Sequence, residues 1–253
     1  MKLTFLGTGT SQGVPVIGCQ CAVCQSSDSR DKRLRSSVLV QENGINLVVD
    51  SGPDFRQQML RCGINHLEAL LFTHSHKDHI AGMDDVRGFN FIQKKAVPIY
   101  TSEATLNALK REFYYVFEDE KYPGVPEVDV NIIDKDPFEI AGIHVQPIQV
   151  LHYRMPVLGF RFGDLTYITD ANYIAEEEKA KMKGSKVLVL NALRQSEHIS
   201  HFSLDQAIAL AKEIGADRTY FIHMSHQIGL HIEIEQALPE GMFFSYDGLE
   251  VEI

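Results

Sequence analysis

One heptapeptide constrains this chain more than any other feature: Thr73-His74-Ser75-His76-Lys77-Asp78-His79, directly after the apolar run Ala69–Phe72. Four groups able to bind a cation lie within six residues at the end of a strand candidate, where α/β sheets place their sites. Imidazole and carboxylate together suit Zn²⁺, Mn²⁺ or Fe²⁺. A polar surface turn with incidental histidines has no need of an H-x-H-x-D-H spacing behind a buried strand. One turn cannot complete two coordination shells, so further ligands are expected after later strands. His152 follows Ile143–Val150, Asp170 follows Leu165–Ile168, and His223 follows Arg218–Ile222. Each alone reads equally well as a capping or hydrogen-bonding residue; their shared placement sets them apart.

The rest of the chain supplies a scaffold for such a site. Strands are expected at Lys2–Leu6, Ser37–Val40, Ile45–Val49, Ala69–Phe72, Ile143–Val150, Val157–Phe162, Leu165–Ile168, Val187–Leu190, Arg218–Ile222 and Leu249–Ile253. Helices are expected at Asp54–Arg61, Glu103–Phe113, Ala175–Met182 and Leu204–Ile214, the last opened by Ser203 and closed by Gly215. Interleaved strands and helices imply α/β layering. Turns at Glu42-Asn43-Gly44 and Phe162-Gly163-Asp164 imply hairpins, hence mixed sheets. A single domain over residues 1–253 is expected, with Glu118–Asp129 (Pro123, Gly124, Pro126) an excursion from its surface. The aromatic run Phe113–Phe117 suits helix packing or a homodimer contact, with a pocket wall as the alternative.

Charge narrows the partners. With 24 Lys+Arg against 34 Asp+Glu, the formal charge of −10 argues against a stable nucleic-acid partner held by phosphate neutralisation. No run of about 18 apolar residues suggests a membrane span, and Met1–Leu6 breaks too soon at Gly7 for a secretory signal. A cytoplasmic location is therefore expected. There, the cluster Cys19-Gln20-Cys21-Ala22-Val23-Cys24 suits metal binding better than disulfides. A tetrahedral structural zinc wants a fourth ligand, and His226, three residues after His223, is the best candidate. The plainer alternative is three free thiols beside a buried histidine.

The motif and the strand-end residues resemble the metallo-β-lactamase superfamily over essentially the whole chain. That resemblance implies an α/β fold, the αββα four-layer sandwich with two mixed β-sheets. It also implies that His74, His76 and His152 hold one metal, that Asp78, His79 and His223 hold another, and that Asp170 bridges the two. Asp50 matches an early Asp of the family that supports the ligands, and equally reads as a helix cap before Pro53-Asp54. The Cys-x-Cys-x-x-Cys loop with a downstream His, and the opening Leu6-Gly7-Thr8-Gly9-Thr10-Ser11-Gln12-Gly13-Val14-Pro15, resemble the subfamily of phosphodiesterases that open a phosphoribosyl cyclic phosphate. In that subfamily the loop surrounds a structural zinc. His201 matches its non-ligand histidine, a general acid or a donor to the phosphoryl oxygen; His198, three residues earlier, is separated from it mainly by the resemblance. Arg87 pairs either with a substrate phosphate or with an ordinary surface acid. His66, His144 and His231 are expected at surface or edge positions.

The expected activity is metal-dependent hydrolysis of a small or cyclic phosphodiester. Two divalent ions (Zn or Mn) would generate a bridging hydroxide, with Asp78 and His201 as catalytic groups. The alternatives are a tRNA 3′-end endonuclease, a thioester or lactone hydrolase, and a non-catalytic, metal-stabilised carrier like the pyrroloquinoline-quinone biosynthesis relative. Asp84-Asp85 and the Glu118–Asp129 excursion do not match the phosphodiesterase subfamily, and acids near the entrance would disfavour an anionic ligand unless they point away.

Overall fold

The computed structural model describes residues 1–253. One sheet comprises β1 (Lys2–Gly7), β2 (Ser37–Glu42), β3 (Ile45–Val49), β4 (Ala69–Leu71), β5 (Val97–Thr101) and β6 (Val128–Ile132), and it closes with the chain's last strand, β15 (Glu250–Glu252). Its spatial order is β15-β1-β2-β3-β4-β5-β6. The other sheet takes β7 (Phe138–Ile140), β8 (Ile143–His152), β9 (Met155–Phe162), β10 (Leu165–Tyr167), β11 (Tyr173–Ile174), β12 (Val187–Asn191), β13 (Arg218–Ile222) and β14 (Met242–Phe244). Its order is β11-β8-β9-β10-β12-β13-β14, with β7 beside β8. Both sheets are mixed: β1–β2 and β2–β3 pair antiparallel but β3–β4, β4–β5 and β5–β6 parallel, and β8–β9 pair antiparallel but β12–β13 parallel.

The side-chain period of two explains the layering. From the first sheet Leu3, Phe5, Val38, Val40, Leu47 and Val49 face Phe160, Phe162, Tyr167, Val187 and Val189 of the second. The alternate residues Leu39, Val48, Leu70 and Ile99 face outward under α2 (Phe55–Cys62), α4 (Arg87–Gln93) and α5 (Glu103–Glu112). On the other outer face, Ile148, Val150, Leu188 and Leu190 pack against α7 (Glu176–Met182) and α8 (Leu204–Ile214). Strands covered on both faces read as continuous apolar runs, as Val187–Leu190 does. The result is the expected αββα sandwich. No helix is long and apolar enough to cross a membrane.

α8 has the expected ends: a capping box between Ser203 and Gln206, and Gly215 in the left-handed conformation. Several further elements carry little mark in the sequence. β6 is a partly exposed edge strand, so nothing about its composition marks it, and the irregular excursion stops at Glu127 rather than Asp129. α4 carries Gly88 and two phenylalanines, a composition that does not read as helix. His231, expected at the surface, is 2% exposed: it opens α9 (His231–Ala237), where its backbone N–H meets Asp31 and its ring meets Arg33. Of the aromatic run, whose Tyr114–Phe117 form the one-turn helix α6, Phe113 and Val116 join the core while Tyr114 stays exposed.

Candidate metal centre

The site sits where β3, β4, β8, β10, β12 and β13 end. Beyond β4 the chain turns through Thr73–His76 and enters α3 (Lys77–Ile80), whose single turn presents Asp78 and His79. Three acid or imidazole residues just past strand ends, Asp50, Asp170 and His223, have φ of 65°, 53° and 60°. Left-handed backbone at a non-glycine residue costs about 1 kcal/mol or more and persists where surrounding structure enforces it.

Hydrogen bonding fixes how the imidazoles face. Asp50, wholly buried, accepts from Thr73 N–H and Thr73 Oγ1–H, each at 2.8 Å, and from His79 Nδ1 at 2.7 Å. A carboxylate accepts only, so His79 carries its proton on Nδ1. Thr73 Oγ1, having donated to Asp50, accepts from His74 Nδ1 at 2.9 Å. Ser36 Oγ donates to Gly9 O and so accepts from His223 Nδ1 at 3.1 Å. His152 Nδ1 donates to Ser200 O at 2.8 Å. Four histidines thus commit Nδ1 to these supports and direct Nε2 away from them. The ligating nitrogens of metal-site histidines are set in this way, by what the other ring nitrogen bonds.

Those Nε2 atoms converge. His79 Nε2 is buried without a hydrogen-bond partner, 3.1 Å from Asp78 Oδ2 and 3.2 Å from Asp170 Oδ2. Asp170 Oδ1 is 3.2 Å from His223 Nε2, so one carboxylate touches both halves of the cluster. His74 Nε2 lies 3.1 Å from His76 Nδ1, and the His76 and His152 rings are 5.1 Å apart. Ligand atoms of His74, His79 and Asp170, and of Asp78, His79 and His223, lie within 4.8 Å of one another. Burial opposes a charge on His79, yet Asp78, Asp170 and Asp50 together raise its pKa well above the ordinary value. A pocket that holds a proton this firmly is one that favours a cation, and an orphaned Nε2 beside two carboxylates fits a divalent metal.

His201 stacks on His223 with ring centroids 5.0 Å apart and puts an unpartnered Nδ1 3.8 Å from Asp170 Oδ1. Burial, reinforced by His223, holds its pKa down to about 3. His198 stands one layer further out, its ring 5.2 Å from that of His201 and its Nδ1 turned to Ser200. Arg87 is not brought to the cluster. Its guanidinium is 2.5 Å from Asp84, and it lines an apolar groove with Phe55, Met59 and Ile92. Asp50 bonds the ligand candidates and gives no side-chain cap to α2, whose N-cap position is Asp54. Thr73 and Ser36, the two hydroxyls that orient His74 and His223, carry no signal in the sequence: neither residue type is unusual where it stands, and Ser36 lies 187 residues from its partner.

The cysteine loop forms a second cluster. Sγ of Cys19 and Sγ of Cys21 are each 3.3 Å from His226 Nδ1, and the four ligand atoms including Cys24 lie within 4.8 Å. Cys21 precedes the short helix α1 (Ala22–Gln25); the Cys24 backbone N–H, then His226, brings its pKa down to about 6. Three thiols and an imidazole at this spacing suit tetrahedral zinc.

Residues 45–224 match the family described as the beta-lactamase superfamily domain. The whole chain is 40% identical to a Porphyromonas gingivalis protein named octanoyltransferase, and spans 52% of that relative's length. Among solved structures, a diphosphatase from the PhnP family superposes with a TM-score of 0.94 at 41% identity, covering all of this chain and 96% of that one. Zn²⁺-bound PqqB from Methylobacterium extorquens superposes with a TM-score of 0.79 at 22% identity over the full length of both, a likeness of fold.

Proposed function

This chain belongs to the β-lactamase superfamily, as a metal-dependent hydrolase of the PhnP-like type, and from that premise we propose that it is a dinuclear phosphodiesterase acting on a small or cyclic phosphodiester or diphosphate ester. The observation that carries this reading is the set of four histidines whose Nδ1 protons are committed to Asp50, Thr73, Ser36 and Ser200, with the Nε2 atoms of His79 and His223 against one shared carboxylate. His74, His76 and His152 would hold one divalent ion, Zn or Mn, and Asp78, His79 and His223 the other, with Asp170 common to both. When bound there, such ions acidify water and neutralise phosphoryl charge. His201, which burial keeps neutral, is placed to donate a ring N–H to a phosphoryl or leaving oxygen, since its Nδ1 has no partner in the protein. Cys19, Cys21, Cys24 and His226 would hold a structural zinc that keeps the loop carrying His223 in register.

Of the acids expected to oppose an anionic substrate, the Asp84-Asp85 pair is not gathered into the centre. Asp84 accepts from Tyr115 Oη at 2.6 Å and pairs with Arg87, while Asp85 lines the groove between α2 and α4. The PhnP-family neighbour described as a diphosphatase supports hydrolysis at a phosphoryl centre. Acyl thioester hydrolysis is the second reading, favoured by the Porphyromonas gingivalis relative named octanoyltransferase, of which this chain spans about half. Bis(p-nitrophenyl) phosphate separates the two. Zn- or Mn-loaded protein is expected to hydrolyse it, and the His152→Ala variant to lose that turnover. No turnover from protein shown to hold metal would overturn the phosphodiesterase reading and leave the thioester.

A further inference from the structure

One hydroxyl at the centre has no part in the reading above. Thr10 lies in the loop after β1 and is 9% exposed. Its backbone N–H donates to Met224 O at 3.1 Å and its carbonyl accepts from Gly13 N–H at 2.8 Å, so neighbouring chain holds it in place. Its Oγ1 is 3.1 Å from Nε2 of His223 and makes no other hydrogen bond. Because Ser36 Oγ has given its proton to Gly9 O, His223 carries its own on Nδ1, and Nε2 can only accept. Thr10 is therefore the donor in this pair.

That same Nε2 faces Asp170 Oδ1 at 3.2 Å and belongs to the donor set that suits a cation. An engaged Nε2 lone pair is no longer an acceptor, so metal loading leaves the Thr10 proton without a partner in the protein. A held, largely buried donor beside a cation is suited to an anionic oxygen, because hydrogen bonds to charged groups are the stronger ones.

We propose that Thr10 is a substrate-binding residue whose hydroxyl, released from His223 when the centre is loaded, donates to a phosphoryl oxygen of the substrate. The inference rests on the phosphodiesterase reading for the identity of its ligand, and its test uses binding as well as turnover. Inorganic phosphate is titrated by calorimetry into metal-loaded wild type, Thr10→Val, which keeps the shape without the hydroxyl, and Thr10→Ser, which keeps the hydroxyl. The expected result is roughly tenfold weaker phosphate binding by Thr10→Val, the factor for one hydrogen bond to a charged group. KM for bis(p-nitrophenyl) phosphate should rise by a similar factor, metal content should equal the wild type's, and Thr10→Ser should recover binding. Equal phosphate affinity in wild type and Thr10→Val would overturn the proposal, as would loaded wild type that binds no phosphate. Loss of metal from both variants would overturn it too, making Thr10 a support of His223. Phosphate binding that depends on Thr10 in a protein without phosphodiester turnover would sustain Thr10 and sink the phosphodiesterase reading alone.

Discussion

At the scale of single residues, the centre depends on groups that would touch no metal. Asp50 receives three donors, Thr73 N–H, Thr73 Oγ1–H and His79 Nδ1–H, inside a fully buried pocket. Asparagine tolerates left-handed backbone, so Asp50→Asn tests the carboxylate without disturbing the fold at that position. It is expected to weaken metal binding by roughly 10–100-fold, as loss of an outer-shell partner typically does, and competition against a chelator measures this directly. His201 should behave in the opposite way. His201→Ala is expected to lower turnover by roughly 10²–10⁴-fold, the range for lost acid–base catalysis, with metal content unchanged. Metal loss on that substitution would make His201 a ligand instead.

At the scale of elements, the site exists because backbones approach closely and loops are cross-tied. A Cβ on Gly52 would lie 2.0 Å from the carbonyl oxygen of Asp78, and one on Gly82 2.2 Å from the carbonyl oxygen of Gly52. Neither neighbour is a flexible side chain, so α3 must shift. Gly52→Ala should therefore displace Asp78 and His79 together, and the loss of metal from a still-folded chain, seen by metal analysis beside circular dichroism, is the expected result. The cysteine loop is tied separately, through His226. Cys21→Ser is expected to lower the Tm and release about one zinc per chain while the histidine cluster still binds metal. An unchanged Tm and metal count would show that the loop holds no structural zinc.

At the scale of the whole molecule, both ends of the chain meet around a buried ionic core. Arg33 donates to Thr8 Oγ1, Ser245 O and His231 Nδ1, while Asp31 receives His231 N–H. Burial, then the Arg33 guanidinium, holds the His231 pKa down to about 4 against an ordinary 6.5. Above pH 6.5 the ring is neutral folded and unfolded alike. As pH falls from 6.5 to 4 the unfolded chain takes a proton that the folded one refuses, so stability drops, by up to about 3 kcal/mol. Denaturant midpoints measured across that window should fall more steeply in wild type than in His231→Gln; parallel curves would remove His231 from the acid response.

The residues that meet at the centre and the layered architecture beneath them are legible along the chain. Both are written locally: an H-x-H-x-D-H turn, a polar residue after each apolar run, and a Ser203–Gly215 frame around α8. Strand ends on one edge of a sandwich come together whatever fills the rest, so such signals survive without knowledge of partners. How the imidazoles face, why Asp50 is a support rather than a cap, that Arg87 belongs to Asp84, and that His231 is buried follow from the folded packing alone. So does β6, an edge strand with little burial to mark it. Each of these depends on a neighbour far away in the chain, Ser36 for His223 and Arg33 for His231 among them. A hydroxyl or a histidine carries no mark of the group it will meet across 187 or 198 residues.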